Sequence, residues 1–297
     1  MMDSNATYVT STNVTRYIPS LLTGATVIAA DGLIAIVGTL GNLLVLTVIF
    51  LHIRFSTVSN ILIANLALVD LLTAFALIPG DIHRHVCDRM GYCHVNKTFV
   101  LIHRILAQFV VTAASTSLFV IAMERFIAIA FPFRYKSLFT RKRAIACAVL
   151  TWTLGTLVTG IFNGLNIVYI QIIYCILLIL VTFFLYIYIF SIALKHEKNI
   201  AAMQASFSPT TSQLPWERRS AKTMAIVLGV FTLCWVPSVA FYSVVQRDDW
   251  LYPRMHFWMN TVYYLNAALD PFIYCVRSEK FRKSVKKLFK SVISARS

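Results

Sequence analysis

From Ala144 to Leu194 the chain runs 51 residues without one Asp, Glu, Lys, Arg or His. A water-soluble domain has no surface to make from such a stretch. It is also too long for a single crossing of a hydrocarbon layer about 30 Å thick, which takes roughly 20 residues. Asn163, Gly164 and Asn166 supply a turn near its middle and split it into two spans. Five more runs pass the same test: the segment between Asp31 and Arg54, Ile61 to Pro79 with only Asp70, Ile105 to Met123, Met224 to Val245, and Met255 to Val276 with only Asp270. The reading is an all-α membrane protein, a seven-transmembrane helix bundle. Composition agrees, with 58% hydrophobic and 13% charged residues and a mean hydropathy of +0.72.

A net charge of +15 points to an anionic partner, nucleic acid or a membrane surface. The placement of the cations decides between them. Taking alternate sides of the membrane, one side receives Arg54, Arg125, Arg134, Lys136, the Arg141 to Arg143 run, Lys195, Lys198, Arg218, Arg219, Lys222 and eight more from Arg277 to Arg296, 20 in all; the other receives seven. The basic side is expected to be cytoplasmic, which calls for a lipid bilayer and no nucleic acid. The N-x-[ST] sequons at Asn5, Asn13 and Asn96 all fall on the opposite side, where glycosylation occurs. The expectation is a multi-pass plasma-membrane protein with its N-terminus extracellular.

Residues 1–24, rich in Ser, Thr and Asn, read as a disordered extracellular arm without a cleavable signal, and 25–277 as the membrane domain. Ala205 to Pro215 reads as a flexible loop between spans five and six. Residues 278–297 form the membrane-surface segment. There Phe281, Val285, Leu288, Phe289 and Val292 share one helical face, with Lys280, Lys283, Lys286, Lys287 and Lys290 largely on the other, an amphipathic helix for an anionic leaflet. Of six cysteines, Cys87 and Cys93 lie outside the spans on the oxidising side, so a disulfide closing the loop between spans two and three is expected. Zinc held with His83, His85 and His94 is an alternative whose spacing fits no structural pattern, and two free thiols are another. Cys147, Cys175, Cys234 and Cys275 read as small packing residues.

Polar groups inside spans are expensive and face the protein interior. They are Asn42 in span one, Asp70 in span two, Glu124 and Arg125 at the end of span three, Trp152 in span four, Cys234-Trp235-Val236-Pro237 in span six, and Asn266 with Asp270-Pro271-Phe272-Ile273-Tyr274 in span seven. In this order, one set per span, they resemble the signature positions of rhodopsin-like (class A) G-protein-coupled receptors from about residue 30 to 290. The resemblance implies a cell-surface receptor that binds an extracellular ligand within the bundle. Activation of heterotrimeric G proteins would follow from outward movement of span six. It also implies that Trp235 is a ligand-sensing switch with Phe231 packed behind it, that Pro237 and Pro271 are pivots, and that Tyr186 and Tyr274 swing together. A large core filler is the plainer reading of Trp235. Glu124 and Glu217 are both partners for Arg125, and the family reads the Arg125–Glu217 pair as a latch between spans three and six; an ordinary interfacial charge network is the alternative.

Departures from the family pattern bear on the ligand. Tyr264 stands where a light receptor carries its Schiff-base lysine, and Ala107 where amine receptors carry an aspartate. Val100 lacks the usual cysteine, Leu178 the usual proline, and Asp270 replaces the commoner asparagine. These features resemble the melanocortin, adenosine, cannabinoid and lysophospholipid branch. By analogy the ligand cavity is lined by His103, Arg104, Ala107, Gln108, Ser238, Tyr242, His256, Tyr263 and Tyr264. That set is aromatic and mildly cationic, suited to an anionic or neutral small ligand, with a short peptide as the other class.

No nucleophile–base set or metal-protease motif occurs, so no enzyme is expected. The rival function is a multi-spanning transporter or channel using Asp70 and Asp270 as an ion or proton site. Within the receptor reading these two acids, with Asn266, hold a sodium ion or share a proton, or form an inert protonated pair; no other cofactor is expected. Ala114 stands where relatives that bind sodium supply a serine.

Overall fold

The computed structural model describes residues 7–11, 14–18, 20–53, 57–90, 95–164, 168–206, 229–230, 232–245, 251–277 and 279–294. The seven expected spans appear as helices. Span one is α1 (Leu21–Val48), whose last turns widen into a π-helix, Ile49–Ile53. Span two is built from α2 (Val58–Leu72), a second π segment (Thr73–Leu77) and α3 (Ile78–Met90). Span three is α4 (Lys97–Ala130), followed by the short α5 (Pro132–Leu138). Spans four to seven are α6 (Arg141–Gly164), α7 (Val168–Ser206), α8 (Thr232–Val244) and α9 (Tyr252–Arg277), and α10 (Glu279–Ser294) follows.

Local chemistry sets the helix starts. Ser20, Thr57 and Asn96 turn side-chain oxygens onto the amides of Thr23, Asn60 and Thr98 at 3.2, 3.3 and 2.9 Å. Pro132 occupies the first turn of α5, where no amide is needed. The break inside the 51-residue uncharged stretch falls where expected: α6 stops at Gly164 and α7 starts at Val168. Of the loop expected over Ala205 to Pro215, Ala205 and Ser206 finish α7 and the rest lies outside the described residues.

Two expectations for the N-terminal region change. The arm carries an antiparallel strand pair, β1 (Thr7–Ser11) and β2 (Val14–Ile18), in the register Thr7↔Ile18 to Ser11↔Val14. Its Thr, Val and Tyr residues suit a pleated ladder as well as they suit a solvated coil. Span one also starts earlier, at Leu21, so Asp31 lies inside α1 and is fully buried instead of bordering the membrane.

The bundle is apolar outside, and its polar spanning residues are gathered inside among an apolar core. Leu33, Ile36, Leu40, Val149, Leu157, Ile173, Leu177 and Phe184 are exposed, whereas Asp31, Asn42, Asn65, Asp70, Asp81 and Asp270 are buried. Lipid accounts for that apolar exterior and for the inward placement of the acids. Close approach of α1 to α9 needs Gly41, because a Cβ there would stand 2.8 Å from Cγ of Pro271. Asn42 then reaches across, its Nδ2 donating to the carbonyls of Gly38 at 2.9 Å and Ala267 at 2.8 Å. Trp152 of α6 donates its Nε1 proton to Asn65 Oδ1 at 2.9 Å, and Asn65 donates to Ser117 at 3.0 Å, fastening spans four, two and three.

As expected of an amphipathic helix, α10 buries Phe281 and packs Val285 and Leu288 against the end of span one, while Lys283, Lys286, Lys287 and Lys290 stay exposed. Arg282 donates to the Cys275 carbonyl at 2.9 Å and so caps the end of α9.

Candidate functional site

The polar interior falls into three levels. At the end that carries Cys87, Asp81 of α3 is 4% exposed. Its Oδ2 accepts the Tyr264 hydroxyl and, at 3.4 Å, the Asn260 amide, both from α9. Its Oδ1 lies 3.3 Å from Arg84 Nη1 and 3.6 Å from His103 Nε2. His103 gives its Nε2 proton to the Leu77 carbonyl at 3.0 Å. Gly80 makes room for that ring, since a Cβ at Gly80 would sit 2.8 Å from His103 Nε2. The network continues into span six, where the Tyr242 hydroxyl donates to Asn260 Oδ1 at 2.6 Å and Ser238 donates to the Met259 carbonyl at 2.8 Å. Span one joins through Asp31, whose Oδ1 accepts from Thr261 at 2.8 Å. A neutral cluster lies on the other flank: Gln171 donates to Thr112 Oγ1 and to the Gln108 carbonyl, both at 2.8 Å, and Asn163 donates to Gln108 Oε1.

Midway along the bundle Asp70 and Asp270 are both buried and act on each other electrostatically. Asn266 donates to Asp270 Oδ2 at 3.3 Å, and Asp70 Oδ2 has no partner among the described residues. Trp235 is 2% exposed and meets Tyr263 edge-on with ring centroids 5.1 Å apart. Pro271 is buried inside α9, and Pro237 is exposed on α8.

At the opposite end Glu124 is 1% exposed. Its Oε1 accepts from Ser59 at 2.8 Å and from Tyr135 of α5 at 2.6 Å, and its Oε2 stands 3.0 Å from Arg125 Nε. Burial, the hydrogen bond to Glu124 and that carboxylate's charge push the Tyr135 phenol up to about 12. Tyr186 packs with Ala122 and Ile189, and Tyr274 in a separate cluster with Val45, Ala64 and Phe281.

Of the residues expected to line a ligand cavity, Tyr264 and His103 touch Asp81 directly, and Tyr242 reaches it through Asn260. Ser238 and His256 belong to the span six–seven junction, where Tyr252 stacks on His256 at 5.1 Å. Ala107 and Gln108 are half-buried, and Arg104 is exposed and apart from this network. Phe231 and Glu217, expected in the switch, lie outside the described residues, as do Asn5, Asn13 and Cys93. Asn96 caps α4 through its Oδ1. Cys87 is disulfide-bonded, and Cys147, Cys175, Cys234 and Cys275 carry free thiols. Among the described residues no His, Cys, Asp and Glu group is arranged to hold a metal ion.

Sequence reasoning missed Asp31, Asn260, Thr261, Ser59 and Tyr135, and gave Asp81 no central place. One signal was available: Asp31, Gly38 and Asn42 follow each other at seven and four residues, which puts all three on one face of α1.

The bundle carries a polar site at one end and, at the other, an ion pair between buried Glu124 and half-buried Arg125, the architecture of a seven-helix membrane protein. The family description "7 transmembrane receptor (rhodopsin family)" matches residues 41–166 and 161–274, and the chain belongs to that family, the class A receptors, which are multi-pass signalling proteins of the plasma membrane and not enzymes. Among its relatives, the trace amine-associated receptor 13c of Danio rerio is 29% identical over 282 residues, covering 84% of this chain and 81% of its own length. The histamine H2 receptor of Canis lupus familiaris is 28% identical over 280 residues, covering 84% and 75%. The alpha-1A adrenergic receptor of Oryzias latipes is 22% identical over 317 residues, covering 86% of this chain, which spans 65% of that receptor's length. None of these three comes from the branch that the departures at Ala107, Val100, Leu178 and Asp270 resemble.

Proposed function

We propose that the protein is a cell-surface G-protein-coupled receptor whose N-terminus and Cys87 end face the outside, where a small ligand enters. The observation that carries the reading is the ion pair of buried Glu124 with half-buried Arg125 at the opposite end, 3.0 Å apart, with Glu124 held further by Ser59 and Tyr135. An arginine parked on its neighbour at the membrane boundary is a cation available to a new partner when the helices part. Outward movement of span six opens a cavity there for the C-terminal helix of a Gα subunit, and in the resting state Glu217 latches Arg125 from span six. Trp235, against Tyr263 and beside Pro237, transmits the ligand's presence, with Phe231 behind it and Pro271, Tyr186 and Tyr274 completing the switch.

Cys87 pairs with Cys93, a reading supported by the bonded state of Cys87 and the free thiols of the other four cysteines. Asn5, Asn13 and Asn96 carry glycans. The Asn96 cap uses Oδ1 and leaves Nδ2 for attachment. At the middle level two buried carboxyls that act on each other repel unless one holds a proton, and the Ala114 side chain offers no oxygen to a cation. The residues therefore fit a shared proton better than sodium, for which Asp70, Asp270 and Asn266 would be the ligands.

The relatives are named for adrenergic, histamine and trace amine signalling. An amine ligand here needs an acid other than the span-three residue, which is Ala107.

Purified protein in nanodiscs, mixed with a panel of Gα subunits, accelerates nucleotide exchange on at least one of them. Glu217→Ala raises that basal rate. Ion flux in liposomes without any exchange would replace the receptor reading with the transporter or channel one.

A further inference from the structure

The elbow between α5 and α6 carries charge of one sign only. From Arg125 to His196 the chain has no Asp or Glu, and Arg134, Lys136, Arg141, Lys142 and Arg143 are all exposed. Among the described residues none of these five is in an ion pair. Like charges this dense repel one another and favour an anion among them. The exposed Ser137 hydroxyl stands in their midst, with Arg134 three residues before it and Lys136 beside it. Arg143 Nη1 donates to the Ser137 carbonyl at 3.1 Å and to the Leu138 carbonyl at 2.8 Å, and Ser137 Oγ donates to the Arg134 carbonyl at 2.8 Å. These bonds close the end of α5, whose seven residues make too short a helix to persist without capped carbonyls. Thr140, the other exposed hydroxyl of the elbow, is already committed, because its Oγ1 accepts the Arg143 amide at 3.4 Å where α6 begins.

We propose that Ser137 is a phosphorylation site for a basophilic serine/threonine kinase, and that its phosphate draws Arg143 away from the end of α5. In the transfer Ser137 Oγ bonds to the γ-phosphorus of ATP and the bond from that phosphorus to the β–γ bridging oxygen breaks. ADP leaves, and the hydroxyl proton passes to the kinase's general base. The phosphoserine brings a charge of about −1.5 to −2 at pH 7 and three acceptor oxygens. Its Oγ has no proton left for the Arg134 carbonyl, its charge sits at the negative end of a helix, and it offers Arg143 an anion in place of two neutral carbonyls. An unclamped α5 loosens at Tyr135, two residues before Ser137, whose hydroxyl donates to Glu124 at 2.6 Å. The modification thereby acts on the carboxylate that pairs with Arg125 while touching neither residue. The inference rests on the receptor reading for the side of the membrane this elbow faces. Its test omits Gα, and a nanodisc leaves both faces open, so failure of coupling and failure of the site are read separately.

Full-length protein in nanodiscs is incubated with ATP and the catalytic subunit of cyclic-AMP-dependent protein kinase, which selects arginine ahead of serine. Peptide mass spectrometry locates the phosphate, and amide hydrogen exchange follows α5. The phosphate is found on Ser137, and the phosphorylated protein opens α5 about tenfold more often than the unmodified one, the scale of one lost hydrogen bond. Ser137→Ala, treated alongside, keeps its α5 exchange unchanged on treatment, which sets aside phosphates elsewhere in the chain. Arg143→Ala without kinase already opens α5 more often than the parent, because the clamp is gone, and phosphate on Ser137 then adds less than it adds to the parent. No phosphate on Ser137, phosphate on Thr140 in its place, or α5 exchange unchanged or slowed by phosphate on Ser137 overturns the proposal. So does an Arg143→Ala protein whose α5 is as protected as the parent's, or a treated Ser137→Ala protein that opens as the phosphorylated parent does.

Discussion

Each end of the bundle buries a carboxylate, but they use different partners. Glu124 is satisfied by Arg125 beside it in sequence, by Ser59 at the start of α2 and by Tyr135 on α5. Asp81 draws on α4 through His103, on α9 through Tyr264 and Asn260, and, one bond further, on α8 through Tyr242. The Glu124 network ties the end of α4 to the start of α2 and to the short α5, whereas the Asp81 network reaches from α3 to α4, α9 and α8 and so registers shifts among more of the spans. The first arrangement suits a trigger and the second a sensor, and the Asp70–Asp270 pair with Trp235 lies between them.

The largest effect expected from breaking this contrast is at the trigger. Arg125→Ala should reduce nucleotide exchange on Gα to the spontaneous rate while changing Tm by little, because the Glu124 carboxyl it leaves behind keeps the hydrogen bonds from Ser59 and Tyr135 and can take up a proton. Nucleotide exchange and thermal unfolding on one preparation check both halves.

Next comes packing at the sensor. Gly80→Ala forces a methyl into the His103 ring and should cost about 1–3 kcal/mol, as overpacked sites do, with His103 pushed away from Asp81. Denaturation of the variant beside His103→Ala with Gly80→Ala tests the cause: removing the ring should relieve most of the loss.

A smaller effect is expected midway between the two ends. Trp152→Phe leaves Asn65 Oδ1 buried without its 2.9 Å donor and should cost about 1–2 kcal/mol with no bias towards either end.

Much of this architecture was legible beforehand because lipid makes it so. Uncharged runs of span length predicted seven helices, and the Asn163–Gly164 turn divided the 51-residue stretch as observed. Span-interior polar residues picked out Asn42, Asp70, Trp235, Asn266 and Asp270, all of which are buried. What escaped lies at or beyond the margins of the uncharged runs, or carries no charge. Charge at a boundary reads as solvated, so Asp31 reads as the edge of span one, yet α1 begins ten residues before it. Asn260 and Thr261 carry neutral side chains with no hydropathy signature, and their value comes only from the partners that α3 and α1 bring to α9. Tyr135 sits in a segment that reads as a basic loop, and a helix started by Pro132 turns it back onto Glu124.

The smallest effect concerns pH. The Tyr135 phenol is pushed up to about 12, so its neutral, donating form is favoured by folding. That contribution is fully present below the unfolded tyrosine range near 10, and is lost as pH rises through the folded value. Basal exchange should show no change attributable to Tyr135 between pH 7 and about 9, and Tyr135→Phe should raise it modestly at every pH in that window. A slope in the parent that disappears in Tyr135→Phe would place the phenol's titration lower than this.

The claim that sensor and trigger are two ends of one moving bundle is tested most directly by a distance. Spin labels at Ser137, exposed on α5, and at Lys222, ahead of span six in sequence, report the separation of those segments in the full-length protein in nanodiscs. Adding nucleotide-free Gα should move the distance distribution to longer values, and Arg125→Ala should abolish the shift. An unchanged distribution in the parent while nucleotide exchange proceeds would contradict outward movement of span six as the route from ligand to G protein.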